Sequence, residues 1–147
     1  MRILLQRVTR AEVRVEGASR GAIEDGLLAL VGIGPSDDDA TVTTMAGKCI
    51  DLRIFRDDEG RTNRSLADVE GAMLIVSQFT LFGDTRKGRR PSFIGAAAPE
   101  HADRLVDVFA DAVAARGIPI ARGVFGAEME VELINDGPMT IWLDTES

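Results

Sequence analysis

The sequence predicts an α+β fold: a mainly antiparallel, barrel-like sheet carrying two principal helices. Three observations lead there. Short runs rich in β-branched and aliphatic residues recur along most of the chain, separated by Gly, Asp and Pro turns. Only two stretches space their apolar residues as a helix does, Val42–Ile50 and Ala102–Val113. Strands interrupted by so few helices do not alternate in the manner of a parallel doubly wound sheet.

Taken in order, Arg2–Val15 alternates loosely and reads as a long first strand. Residues Gly17 to Gly21 suggest a turn and Ala22–Glu24 a short strand. Asp25-Gly26 is a hairpin signal before the apolar strand Leu27–Ile33, and Gly34-Pro35 breaks it. Ser36 ahead of Asp37, Asp38 and Asp39 marks a helix start, with the serine hydroxyl as cap and the acids facing the positive dipole end. Val42, Met45, Ala46 and Cys49 form its buried stripe. A short strand is expected at Arg53–Arg56, ended by Asp57-Asp58-Glu59-Gly60. Ala72–Leu81 follows, its first half apolar on both faces and therefore central. Pro99 suits the first turn of the second helix, whose stripe is Ala102, Leu105, Val106, Phe109, Ala112 and Val113, with Gly117 and Pro119 stopping it. After a short strand at Ile118–Arg122, residues Glu128–Ile134 alternate as a half-exposed strand, and Asn135-Asp136-Gly137-Pro138 turns the chain into Met139–Leu143.

The 147 residues fit one domain, 1–147, and 45% hydrophobic content suffices for a core. The run Leu27–Ile33 is too short to span a bilayer, so no membrane partner is expected. Met1–Arg7 carries charge within its first seven residues and reads as a strand, not a signal peptide. A lone Cys49 builds no disulfide framework. Together these point to the cytoplasm.

Several chemistries are poorly supplied. The single histidine, His101, falls in a helix's first turn, where a structural role is expected. Cys49 lies on a buried stripe, and one His with one Cys cannot make a His/Cys metal site. Gly32-Ile33-Gly34 imitates half of a dinucleotide fingerprint, but Asp37 stands where the third glycine belongs, and three acids would repel a pyrophosphate. No cofactor and no metal are expected. A net charge of −7 opposes broad nucleic-acid binding, yet Arg86, Lys87, Arg89 and Arg90 crowd four cations into five positions. One basic loop on an acidic body suits a short piece of RNA.

Two segments carry more polarity than a plain core needs. In Ser77-Gln78-Phe79-Thr80 three polar residues interrupt an apolar central strand, which calls for internal hydrogen bonds or a ligand site at the strand's end. The other is Asn135-Asp136-Gly137-Pro138-Met139-Thr140, which on pattern alone is a hairpin turn.

With these landmarks in this order, the sequence resembles the D-aminoacyl-tRNA deacylase family along almost its whole length. The matching segments are Met1-Arg2 with Gln6-Arg7-Val8, Ser77-Gln78-Phe79-Thr80-Leu81, Asp84-Thr85-Arg86-Lys87-Gly88 with Arg90-Pro91-Ser92-Phe93, and Asn135-Asp136-Gly137-Pro138 with Thr140. The one departure is Phe82-Gly83, where tyrosine-bearing pairs are common.

The resemblance implies a homodimer with active sites at the subunit interface. In it Gly137 and Pro138, joined by a cis peptide, enter the partner's pocket and exclude side chains of L configuration. It implies hydrolysis of D-aminoacyl-tRNA, and of glycyl-tRNA mischarged on tRNA-Ala. Ser77, Gln78, Phe79 and Thr80 would form the facing wall, with backbone N–H groups near Gln78 and Phe79 as an oxyanion hole. Thr80 would orient water or substrate while the terminal 2′-hydroxyl assists. Arg86, Lys87, Arg89 and Arg90 would receive phosphates of the acceptor end, Phe82 or Phe93 would stack, and Arg7 would brace the Gly-Pro loop. Two readings compete: a paralogous editor of L-aminoacyl-tRNA with Gly-Pro in trans, and a non-catalytic tRNA-binding or scaffold dimer module.

Overall fold

The structure is a computed structural model, and it describes residues 1–146. Its strands are β1 (Arg2–Val15), β2 (Ala18–Ile23), β3 (Gly26–Gly32), β4 (Phe55–Arg56), β5 (Thr62–Arg64), β6 (Ala72–Ser77), β7 (Ile120–Arg122) and β8 (Glu130–Asp144). The helices are α1 (Asp39–Asp51) and α2 (Pro99–Ala115), with one 3-10 turn at Phe79–Phe82. Two helices on a nearly closed, barrel-like sheet match the predicted α+β class. Most strand pairs are antiparallel, but the centre is not: β6 runs parallel to both β3 and β7. The polypeptide reaches each parallel neighbour through a helix, as such crossovers require.

β1 is the spine. β8 pairs along one of its edges from Arg2 to Arg14, while β3 covers Arg2–Val8 and β2 covers Ala11–Val15 on the other. β2 and β3 therefore lie end to end. Asp25-Gly26 is not a hairpin turn, contrary to the sequence reading. Glycine is needed there for room, because a Cβ on Gly26 would fall 1.9 Å from the Ala72 carbonyl oxygen. The tight turn is instead Glu16-Gly17, both at positive φ, which matches the twist of paired strands.

Alternation along β1 breaks at Arg7-Val8, two consecutive buried residues. Before the break Ile3 and Leu5 join the helix-side core with Phe109, Leu105, Ile50, Met73 and Ile75. After it Val8, Ala11 and Val13 join a second cluster with Leu28, Leu74 and Val76, which Met129, Val131 and Leu133 flank. Each fully buried aliphatic chain contributes about 1.5–3 kcal/mol of transfer free energy, so both faces of the sheet are energetically committed. α2 places Ala102, Leu105, Val106, Phe109 and Val113 in the helix-side core; Ala110 is buried as well, and Ala112 is half-buried.

Several boundaries depart from the sequence reading. β2 starts at Ala18, inside the turn expected at 17–21, and β7 starts at Ile120 rather than Ile118. α1 is capped by Asp38, which accepts the Thr41 N–H at 2.8 Å, and not by Ser36. Asp37 turns inward instead, accepting from the Gly34 N–H at 2.6 Å and the Met1 amino group at 2.8 Å. The expected strand at 53–56 shrinks to Phe55–Arg56, paired in a small hairpin with β5. The strand expected to run to Leu81 stops at Ser77, because β3 ends at Gly32 and offers no further partner. Finally, Glu128–Ile134 and Met139–Leu143 are not two strands around a turn. They are one strand, β8, with an outward bulge.

Cys49 is fully buried among α1 and its neighbours, and burial pushes its thiol up to about 12. The buried thiol's contribution is whole below an ordinary value near 9.0 and is lost as pH climbs from there toward about 12, where only the unfolded chain releases the proton. We expect native protein at about pH 8 to resist iodoacetamide, with labelling rising only along the urea unfolding curve. Fast labelling of the native form would show that α1 is not packed in this way.

Candidate functional site

Ser77 lies at the C-terminal end of β6, paired with Val31 of β3 and two residues beyond the last β7 partner, the end of such strands at which ligands gather in open α/β sheets. From it the chain leaves the sheet. The Gln78 N–H still donates to the Val31 carbonyl at 2.8 Å, which corrects the expectation that it belongs to an oxyanion hole. Phe79–Phe82 then closes one 3-10 turn, whose first amides have no acceptor within the turn. Among the described residues, the main-chain donors left free at this wall are accordingly those of Phe79 and Thr80. The Gln78 side-chain amide donates to Thr80 Oγ1. That hydroxyl therefore has one lone pair engaged and its proton free to donate.

Beside the wall opens a cleft of about 590 Å³ lined by Ser77, Gln78, Phe79, Phe93, Phe125 and Met129, with α2 supplying Pro99 and Ala102. Phe79 and Phe93 meet edge to face with centroids 5.2 Å apart, and both are partly exposed. The lining is largely apolar; its polar side chains are Ser77 and Gln78 at the β6 end and Glu128 just ahead of β8. Thr80 is exposed at its margin and does not line it. His101, next to the lining residues of α2, has its Nε2 2.9 Å from the Asp37 carbonyl.

Phe82 is no stacking surface. It is buried, and the Arg2 guanidinium covers its ring at 4.6 Å while donating to the Leu81 carbonyl at 2.8 Å. Arg2 thus ties the end of the 3-10 turn to β1, a role that sequence reasoning missed.

The basic loop continues from the turn and is pinned at its base by backbone bonds between Asp84 and Ser92, at 2.7 and 2.9 Å. Arg86 is exposed and grips Asp84 with two side-chain bonds, at 2.9 and 2.6 Å, which hold the Asp84 carboxyl down at about 2. Lys87, Arg89 and Arg90 are exposed and, among the described residues, make no ion pair.

Gly137 and Pro138 stand elsewhere. The register along β1 steps from Gln6–Thr140 directly to Val8–Asn135, so Asp136–Met139 must bulge out of β8. The Gly137–Pro138 peptide is cis, and both residues are exposed. Three side chains brace the bulge. Arg7, only 2% exposed, donates to the Asp136 carbonyl at 2.9 Å and the Ile54 carbonyl at 2.6 Å. Arg56 reaches both Asp136 carboxylate oxygens, at 3.0 and 2.9 Å, and the Gly137 carbonyl at 3.5 Å. Asn135 donates to the carbonyls of Arg7 and Met139, at 2.9 and 3.1 Å. The hydrogen bond from Arg56, then the charges of Arg7 and Arg56, keep the Asp136 carboxyl below its ordinary range. Within one chain the structure joins Ser77, Gln78 and Phe79 in a single cleft, but neither Gly137 nor Pro138 lines it.

Fold and site together define a class: a barrel-like α+β protein whose polar site stands at the end of a parallel strand and is built largely of main chain. The chain belongs to the D-Tyr-tRNA(Tyr) deacylase family, whose model matches residues 4–144. It is 57% identical over 145 residues to the D-aminoacyl-tRNA deacylase of Thermomicrobium roseum, covering 99% of this chain and 94% of that one. It is 51% identical to the protein of the same name from Deinococcus radiodurans, covering 98% and 99%. Among solved structures it is similar to the c-Myc DNA Unwinding Element Binding Protein, with a TM-score of 0.93 at 38% identity over 99% of each chain. It also matches a probable eukaryotic D-amino acid tRNA deacylase, with a TM-score of 0.83 at 21% identity over 97% of each, a likeness of fold alone.

A Cβ on Gly137 would lie 2.6 Å from Asn135 Oδ1. Gly137→Ala is expected to push Asn135 off its two carbonyls and cost about 1–3 kcal/mol, read as a lower urea midpoint. Amide exchange should accelerate in the bulge while α2 keeps its protection. An unchanged midpoint would mean that the bulge is loosely held.

Proposed function

We propose that this chain, as one deacylase domain, hydrolyses the ester of D-aminoacyl-tRNA, and of glycyl-tRNA mischarged on tRNA-Ala, releasing amino acid and tRNA. The reading is carried by one observation: a firmly braced backbone bulge, Gly137–Pro138, projects from the sheet while the cleft of its own chain is lined by other residues. A rigid projection of this kind suits a cleft on a second copy, so the working enzyme is a homodimer in which each bulge serves the partner's site.

In that arrangement the main-chain oxygens of Gly137 and Pro138 hold the substrate's α-ammonium and leave no room for a side chain of L configuration. Exclusion is steric and independent of which side chain arrives. Glycine, having none, is accepted. The Phe79 and Thr80 amides face the ester carbonyl and stabilise the oxyanion as water adds. Thr80 orients the reacting groups and is not the nucleophile: its oxygen is engaged by Gln78, and no histidine among the described residues is bonded to it. The 2′-hydroxyl of the terminal adenosine then assists proton movement, so no metal or cofactor enters the scheme. Lys87, Arg89 and Arg90 receive phosphates of the acceptor end, and Phe93 offers a ring for stacking. Arg86 contributes through Asp84 to the shape of the loop. A tRNA substrate supports a cytoplasmic location. Among the described residues no helix is long and apolar enough to cross a membrane.

Incubation with D- and L-aminoacyl-tRNA under equal conditions tests the reading. Release from the D-ester with the L-ester intact is expected. Hydrolysis of the L-ester alone would mark an editor of the opposite hand, and none of either a binding module. Thr80→Ala should retain most activity, whereas a 2′-deoxy terminal nucleotide should react poorly. A folded but inactive Thr80→Ala protein would make the threonine the nucleophile.

A further inference from the structure

We infer that Arg56 is a specificity-determining positioning residue, which acts with Asp136 to hold the Gly137 carbonyl where D and L esters are told apart. The inference rests on the reading of the bulge as the gauge of handedness. Arg7 anchors the bulge from inside, but its contacts end at residue 136. Among the described side chains only Arg56 donates to Gly137 itself, at 3.5 Å, while the same guanidinium meets both oxygens of the Asp136 carboxylate. One planar group thus spans two consecutive residues of the projection.

The platform beneath Arg56 is stiff. Phe55, its neighbour in β4, is buried in the helix-side core. Arg56 pairs with Thr62, and the Asp57 side chain closes the hairpin by accepting the Glu59 and Arg61 amides at 2.9 and 3.0 Å. Asp136 is shared between Arg56, at 2.9 Å, and the buried Arg7, at 3.3 Å. The exposed guanidinium beside the Gly137 carbonyl is thus paired with a carboxylate, although the cluster keeps one excess positive charge. The carbonyl's second lone pair stays free for a substrate ammonium.

Selectivity of this kind is sensitive to small motions. A steric gauge works only while its atoms stay within roughly 0.5 Å of the productive geometry. Releasing the Gly137 carbonyl lets the bulge shift outward and admits the L side chain, while the D-ester, whose side chain points elsewhere, is far less affected.

The test measures kcat/KM for D- and L-aminoacyl-tRNA in the wild type, Arg56→Ala, Arg56→Lys and Arg64→Ala, with thermal midpoints for all four. Arg64 sits on β5 of the same hairpin and pairs with exposed Asp58, so it reports hairpin stability without touching the bulge. Arg56→Ala is expected to lower the D/L ratio by about tenfold or more, mostly through faster L-ester hydrolysis. Arg56→Lys should restore part of the ratio, since an ammonium can hold the carboxylate but not span to residue 137. Arg64→Ala should keep it. Equal loss on both esters in Arg56→Ala, or a ratio that Arg64→Ala lowers as much, would overturn the inference. Gly137→Ala separates the two levels. If it changes the ratio and Arg56→Ala does not, only the clamp fails; if neither does, the gauge itself fails.

Discussion

The buried guanidinium of Arg7 is the constraint around which this molecule is arranged. A cation with 2% exposure must be matched by acceptors or it costs several kcal/mol. Here the acceptors are the carbonyls of Ile54 and Asp136, with the Asp136 carboxylate 3.3 Å away. Satisfying it forces the chain after α1 to pass close to β1, and it forces β8 to leave its ladder so that residue 136 can turn a carbonyl inward. The bulge that results carries Gly137 and Pro138 outward on a rigid base. The same position marks where β1 changes from one core to the other. The polar anchor, the change of face and the projecting backbone thus have one origin.

The parallel centre of the sheet has a parallel consequence at the other site. β6 is apolar on both faces and paired on both edges as far as Ile75, and β3 continues the ladder to Ser77. Ser77 and the following turn inherit the rigidity of that ladder, reinforced by the Gln78 bond to Val31 and by Arg2 on the Leu81 carbonyl. Main-chain donors are useful for catalysis only if they need no reorganisation when charge develops. In the proposed mechanism a chain with one histidine and an inert cysteine can still build such a site, because the backbone is the reagent and the sheet supplies its precision.

Much of this was legible in the sequence, and the misses share a cause. The α2 stripe, the central character of β6 and the polar segment at 77–80 all depend on local pattern, and the structure has them where the pattern put them. The bulge of β8 was misread as a turn, because Asn, Asp, Gly and Pro favour both. Which one forms is decided by Arg7, more than a hundred positions away. Likewise Asp38 rather than Ser36 caps α1, since Asp37 is drawn inward by groups from Gly34 and Met1. The strand end at Ser77 was invisible for a related reason: it is set by where β3 stops. Of the cleft, Ser77, Gln78 and Phe79 were found by motif and Phe93 by proximity to it. Phe125, Met129 and the α2 residues were not found, for they are ordinary apolar residues that become a wall only after the sheet closes.

The charge distribution completes the argument. With a net charge of −7 the body repels a polyanion at a distance, and Asp84 consumes the charge of Arg86. That leaves Lys87, Arg89 and Arg90 as the exposed cations of a loop pinned at Asp84 and Ser92 and joined to the cleft through Phe93. In the proposed function three cations on one short loop engage a few phosphates, so attraction is confined to the strand end that leads into the cleft. A more basic surface would hold the rest of a long RNA as well and slow its release. An acidic body with one small basic loop therefore favours brief inspection of chain termini, which is what the proposed gauge of handedness requires.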